Sequence, residues 1–296
     1  MNYIGEIAAL TTALCWSLTS IVFTAAGKRI GALQVNLYRL PSAIILLTLT
    51  YTLFSGSFSS PLEPMLWLLL SGIVGLALGD TFLFQAFVTI GSRLSMLLLS
   101  LAPPMTAVLA FIFLGERLNL LAISGIIITL AGVSWVVSER TPDPLGGHKR
   151  VSLKGILWGV LAALGQAVGL IFAKKGLIAE IHPLLATLIR MVGATLVLWP
   201  ISLMSGRVKN PIRLFTRDTT ALKLVFIGVI FGPFLGVTLS LVSVKYTDTG
   251  VAATLMSVVP VVMIPLVILI EKERPSWRAV LGACITVLGV AILFLR

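Results

Sequence analysis

Charge is scarce in this chain. Asp, Glu, Lys and Arg make up only 11% of its 296 residues, against 58% hydrophobic. That is too little charge to cover a water-soluble body of this length, so a soluble fold is excluded and a bilayer is implied. Acid is scarcer than base: 11 carboxylates face 22 Lys and Arg, a formal net charge of +11. In a soluble protein that excess would suggest nucleic acid. Here no folded platform of aromatic or base-reading side chains accompanies it, and no nucleic-acid partner is expected. Cysteine and histidine are sparser still, two of each. Cys15 and Cys284 lie inside apolar stretches, where a thiol behaves as a small hydrophobe, so no disulfide is expected. His148 and His182 lie in or beside loops, which leaves no metal cluster and no expected cofactor.

What is present is apolar sequence in lengths that span a membrane. About ten stretches of roughly 20 residues, the length that crosses a hydrocarbon layer of roughly 30 Å, run over 4–25, 33–54, 65–87, 92–114, 119–138, 153–174, 183–204, 221–244, 249–270 and 277–295. Two connections are longer than the rest, Glu139 to Ser152 and Ser205 to Thr220, and neither has room for a soluble domain. The first stretch has no basic residue before it and no small-residue cleavage site after it, so it reads as a retained helix.

The chain also repeats itself. Shifted by 157 residues, Gly75 falls on Gly232, Gly79 on Gly236, Ser100 on Ser257, Pro103 on Pro260, Gly125 on Gly282 and Gly132 on Gly289; a shift of 151 pairs Arg39 with Arg190. A period of this kind sets architecture before any single residue is considered. Each copy holds five helices. Because five is odd, the second copy enters the membrane from the opposite face, and the expected fold is an all-α integral membrane protein of ten transmembrane helices in two inverted five-helix repeats. The repeats are 1–138 and 153–296, joined by a polar linker over 139–152, whose prolines, glycines and charges cannot sit in hydrocarbon. Fifteen basic residues lie in connections after odd-numbered helices and five on the other face, which places both termini outside the cytoplasm.

Arg39, Gly79-Asp80-Thr81, Pro103, Glu116-Arg117 and Gly125 to Gly132 in the first half are matched by Arg190, Gly236, Pro260, Glu273-Arg274 and Gly282 to Gly289 in the second. With ten apolar helices, this set resembles the drug/metabolite transporter superfamily, and within it the EamA-type ten-helix transporters. The likeness covers the whole chain. It implies a multi-pass protein of the cytoplasmic (inner) membrane that moves amino acids or related metabolites, by export, through alternating access, and it implies termini in the cytoplasm, opposite to the charge count. Two positions depart from the repeat: Asp80 becomes Val237 and Gly115 becomes Lys272.

Several residues follow as candidates. Asp80 is the one carboxylate well inside a predicted span. An ionisable group there usually faces a cavity or a partner, so it is a candidate for binding a cationic part of a substrate or carrying a proton, which leaves proton or ion coupling open. A purely structural role for it is equally compatible with the pattern. Gln85, Trp16, Asn36, Tyr38, Trp158 and Gln166 are the other polar or aromatic groups able to face a central cavity. Pro103 and Pro260 each weaken the middle of a span, so helices 4 and 9 are expected to bend during transport and, with helices 3 and 8, to surround a midplane pocket. Arg39 and Arg190 lie six to seven residues into their spans, from where a long side chain snorkels to water, and they read as interfacial anchors. Gly125, Gly132, Gly282 and Gly289 form flat faces for close helix packing, within their own repeats or across a homodimer.

An enzyme is not expected. Ala77-Leu78-Gly79-Asp80 approaches the GxGD pattern of intramembrane aspartyl proteases, but the first Gly is missing and the available second carboxylate, Asp248, lies in a loop. The expected partners are a small-molecule substrate and the lipid bilayer. A non-transporting role, as a lipid scrambler or assembly factor, is the alternative.

Overall fold

The computed structural model describes residues 3–54, 61–114, 118–138, 141–142, 148–149, 151–177, 181–210, 214, 216–246, 255–272 and 275–294. Nine helices among them are long and apolar enough to cross a membrane: α1 (Ile4–Ile30), α2 (Ala32–Phe54), α3 (Leu62–Ile90), α4 (Ser92–Phe113), α5 (Leu120–Val137), α6 (Leu153–Leu177), α7 (Pro183–Met204), α8 (Thr219–Ser240) and α10 (Trp277–Phe294). The shorter α9 (Val259–Glu271) is the tenth. Helices are the form such runs must take, because hydrocarbon offers no partner for a backbone amide and only a helix satisfies its own. Glu116-Arg117, Glu273-Arg274 and Asp248 lie outside the described residues. The linker carries a two-residue antiparallel pairing of Thr141–Pro142 with His148–Lys149.

Where the chain reverses between helices without a loop, glycine makes the joint. Gly31 (φ 99°) and Gly91 (φ 82°) each separate consecutive helices by a single residue, a backbone state that costs any residue with a Cβ. Longer connections end in side-chain caps: Asn119 accepts from the Ala122 amide at 2.7 Å and Asp218 from that of Ala221 at 2.9 Å, which satisfies donors that the first helical turn leaves free.

Packing follows the inverted repeat. α3 lies against α6 as α8 lies against α1, α4 against α6 as α9 against α1, while α2 meets α7 and α5 meets α10. Each cross-repeat contact therefore has its counterpart. The core divides into one cluster centred on α1, α2, α3, α8 and α9, a second on α2, α3 and α7, and a third on α4, α5, α6 and α10. Large apolar side chains such as Leu53, Phe113, Leu153 and Leu269 remain exposed on the outside, as a lipid-facing surface requires.

The four glycines of α5 and α10 pack against each other inside one chain, instead of within their own repeats or across a dimer. A Cβ on Gly289 would stand 2.4 Å from the Thr129 amide nitrogen and one on Gly125 2.5 Å from that of Leu293. Thr286 and Thr129 are fully buried in the same seam. The glycine strips are thus already covered within one chain.

Two local irregularities also repeat. α3 widens into a π-helix over Gly72–Gly79 and α8 over Ile230–Gly236, at matching positions of the duplication. α4 is interrupted at Ser100 and Leu101, and Ser257 and Val258 form the matching break just ahead of α9, each just before the prolines. Pro103 and Pro260 accordingly sit in the first turn of a new helical segment, where a missing N–H costs no bond. π-turns and breaks of this kind concentrate at functional positions in helices.

Candidate functional site

The site is built from α2, α3 and α6, with α7 at its edge. On α2, Asn36 and Arg39 lie three residues apart and share a face. Opposite them the π-helical stretch of α3 ends on Asp80. Arg39 Nη2 donates to Asp80 Oδ2, and Arg39 Nε donates to Asn36 Oδ1 at 3.0 Å. The Asn36 amide in turn donates to Thr81 Oγ1 at 2.9 Å and to the Leu76 carbonyl at 3.2 Å. From α6, in the other repeat, Gln166 Nε2 donates to Asp80 Oδ1 at 2.6 Å and to the Gly75 carbonyl at 3.3 Å. Both carboxylate oxygens are therefore committed. The Phe84 ring lies beneath the Arg39 guanidinium, 5.0 Å from its centre, adding a cation–π contact.

Close approach of α3 and α6 makes this bridge short enough. Gly165 and Gly169 face Gly79 and Gly75; a Cβ on Gly165 would come within 2.7 Å of the Gly79 Cα. With no side chains between them, the helices touch backbone to backbone, and Gln166 reaches the carboxylate directly. The π-helical register of α3 presents the carbonyls of Gly75 and Leu76 to the two side-chain amides. In the second repeat the matching contact is filled differently: the Trp16 ring packs on Gly236, Thr19 on Gly232, and Val237 stands where Asp80 would be.

Asp80 and Arg39 are 6% and 5% exposed, so this is a buried ion pair and not a surface one. Arg39 is consequently no interfacial anchor. Its head turns inward, because the carboxylate stabilises it there more than the membrane surface would. Arg190 is not an anchor either: its guanidinium packs beside Gly75, 3.6 Å from where a Cβ there would stand, and within electrostatic reach of Asp80. The cluster also corrects the expected helix set, since α2, α6 and α7 stand with α3 where α4, α8 and α9 were expected.

The remaining candidates scatter. Tyr38 turns from the cluster and its hydroxyl donates to the Lys209 carbonyl, with the Trp199 ring edge-on at 6.0 Å. Trp158 stacks on Phe82 at 5.4 Å. Gln85 is half-buried one turn beyond Thr81, and Trp16 closes the opposite repeat contact. Pro260 is buried and borders a narrow crevice of about 10 Å³ with Arg93, Leu97, Ala279 and Ala283; Pro103 is half-buried. These prolines lie among α4, α9 and α10, apart from the charged cluster.

Beside the cluster, a cavity of about 180 Å³ opens between α2, α3 and α7, lined by Leu33, Ala77, Thr81, Phe82, Leu198 and Arg207 among others. Thr81 belongs to both: its hydroxyl accepts from Asn36, and its side chain borders the cavity. What reading single residues missed was the pairing. One acid and two arginines in otherwise apolar spans could scarcely remain apart, since each alone in hydrocarbon costs several kcal/mol, of order 2.5–3.5 each on insertion scales.

Inverted five-helix repeats that meet on a buried charged cluster define a multi-pass membrane protein of the repeat-built transporter type. The EamA-like transporter family model matches the chain twice, over residues 3–138 and 153–295, and the chain belongs to that family. A protein of Archaeoglobus fulgidus described as an uncharacterized transporter is 26% identical over 222 residues, 75% of this chain and 74% of the relative. A solved crystal structure superposes with a TM-score of 0.68 at 18% identity, covering 99% of this chain and 96% of its own, a likeness of fold.

Proposed function

We propose that the chain exports a small polar or amphipathic metabolite, an amino acid or related compound, across the cytoplasmic membrane by alternating access between its two repeats. The observation that carries this reading is the Arg39–Asp80–Gln166 bridge. It joins α2 and α3 of one repeat to α6 of the other through hydrogen bonds that a carboxylate can exchange, and it borders a cavity through Thr81. Relative motion of the repeats must remake those bonds, so the bridge couples occupancy of the cavity to the arrangement of the helices. The repeated breaks before Pro103 and Pro260 supply bending points within α4 and at the start of α9. Asp80 remains the group through which a proton or ion would be coupled.

The test compares metabolites in medium and cytosol with the chain overproduced, deleted, or carrying Asp80→Asn. One or a few compounds should move outward with the native chain and less with the variant at equal membrane abundance. Identical profiles in all three would sink the reading.

A further inference from the structure

Duplication left the buried cluster with two arginines and one carboxylate. Arg39 and Arg190 occupy the same place in the two repeats, and Arg39 has Asp80. The position matching Asp80 holds Val237, so Arg190 lacks the partner its repeat position calls for. It has turned toward helix α3 instead. There it finds an Asp80 whose Oδ2 is taken by Arg39 and whose Oδ1 is taken by Gln166. Arg190 Nε is sealed from solvent and has no hydrogen-bond partner, and among the described residues no ion pair involves it. Two guanidinium groups and one carboxylate leave the cluster with one positive charge in excess. Such a charge in a low-dielectric interior is costly unless an anion compensates it.

We propose that Arg190 is the anchoring residue of a substrate subsite for a small organic oxyanion, a carboxylate or phosphate borne on an apolar body. The inference rests on the transport reading above and names its substrate class. A guanidinium presents a planar fork of donors suited to such a group, and Arg190 as a residue keeps partial exposure although its Nε is sealed. The apolar body has a place as well. Val197 and Ile201 line the 180 Å³ cavity, and at 100° per residue they share the face of α7 that carries Arg190, roughly 10 Å and 16 Å along the axis. Arg190 stands about two turns short of the cavity wall, so an oxyanion held there directs its apolar body along that face toward the cavity between α2, α3 and α7. Asp80 then limits the affinity by repulsion, which favours release when the bridge is remade.

The experiment uses the full chain purified in dodecyl maltoside, which carries no anionic group, titrated at constant ionic strength with sodium benzoate, inorganic phosphate and benzylammonium chloride. Benzoate and benzylammonium share a ring and differ in the sign of charge, so this comparison needs no variant. The native chain should bind benzoate or phosphate and not benzylammonium. Arg190→Gln should weaken that binding by about tenfold or more, Arg190→Lys should retain part of it, and Asp80→Asn should tighten it. Equal binding of benzylammonium, no binding of either anion, or unchanged affinity in Arg190→Gln would overturn the subsite. Displacement of benzoate by phosphatidylglycerol added to the micelles would assign the charge to a lipid headgroup and overturn it as a substrate site. Export that persists without anion binding would remove this inference alone; anion binding with no metabolite displaced between cytosol and medium would remove the transport reading alone.

Discussion

Asn36 holds the charged cluster in place. It accepts from Arg39 Nε and donates to Thr81 and to the Leu76 carbonyl, so one amide fixes the arginine, the cavity wall and the π-helical turn together. Asn36→Leu keeps the branched shape and removes these bonds. It should destabilise the chain by about 1–3 kcal/mol, since a buried Arg39 Nε would lose its acceptor. Thermal unfolding in detergent measures this, and an unchanged midpoint would show that water replaces the amide without loss. Asp80→Ala should cost more, about 3–5 kcal/mol, because it strands a buried guanidinium. Legibility differed sharply among these residues. Asp80 stood out in the sequence because a carboxylate in an apolar span is rare. Asn36 and Gln166 were visible only as polar groups, and Arg39 and Arg190 were misread as anchors, because depth along a helix says nothing about which way a long side chain turns.

Among the helices, the α5–α10 pair shows how a sequence pattern becomes a contact. Glycines seven residues apart present one flat strip, and the two strips meet so closely that backbone faces backbone. Gly289→Leu would drive its Cβ to 2.4 Å from the Thr129 nitrogen, and backbone cannot step aside as a side chain can. The expected loss is about 1–3 kcal/mol or more. Leu288→Ala, next to it and 56% exposed, should change stability by no more than about 0.5 kcal/mol. Equal effects of the two would mean that the seam is not tightly packed. The spacing announced a flat face, but its partner was not legible: the same strip suits a helix of its own repeat, of the other repeat or of another chain. The matched π-helical stretches of α3 and α8 went unread, because glycines permit such a turn without demanding it.

Over the whole molecule, the distribution of basic residues predicts orientation. Lys28, Arg29, Arg207 and Lys209 gather at one end: Arg29 pairs with Asp218 at 3.1 Å, and Lys209 Nζ reaches the Ile30 carbonyl at 3.0 Å. If that end is cytoplasmic, as the excess of Lys and Arg in its loops requires, both termini lie outside. Alkaline phosphatase fused after Arg296 should then be active and green fluorescent protein at the same point dark. The reverse pattern would show that the orientation implied by the family likeness prevails over the charge count.

Apolar length, an odd number of helices per copy and the duplication together specified ten helices in inverted repeats, because each of these is a property of the chain taken in order. Lipid enforces it: a run of about 20 apolar residues has no stable form there except a helix. Which side chains meet was decided only in three dimensions. The Arg39–Asp80–Gln166 bridge joins residues 41 and 86 positions apart, and it exists because glycines let α3 and α6 touch while Val237 left the second arginine without a carboxylate of its own. Repulsion, desolvation and hydrogen bonding are settled among neighbours in space, and those neighbours come from the packing of the two halves.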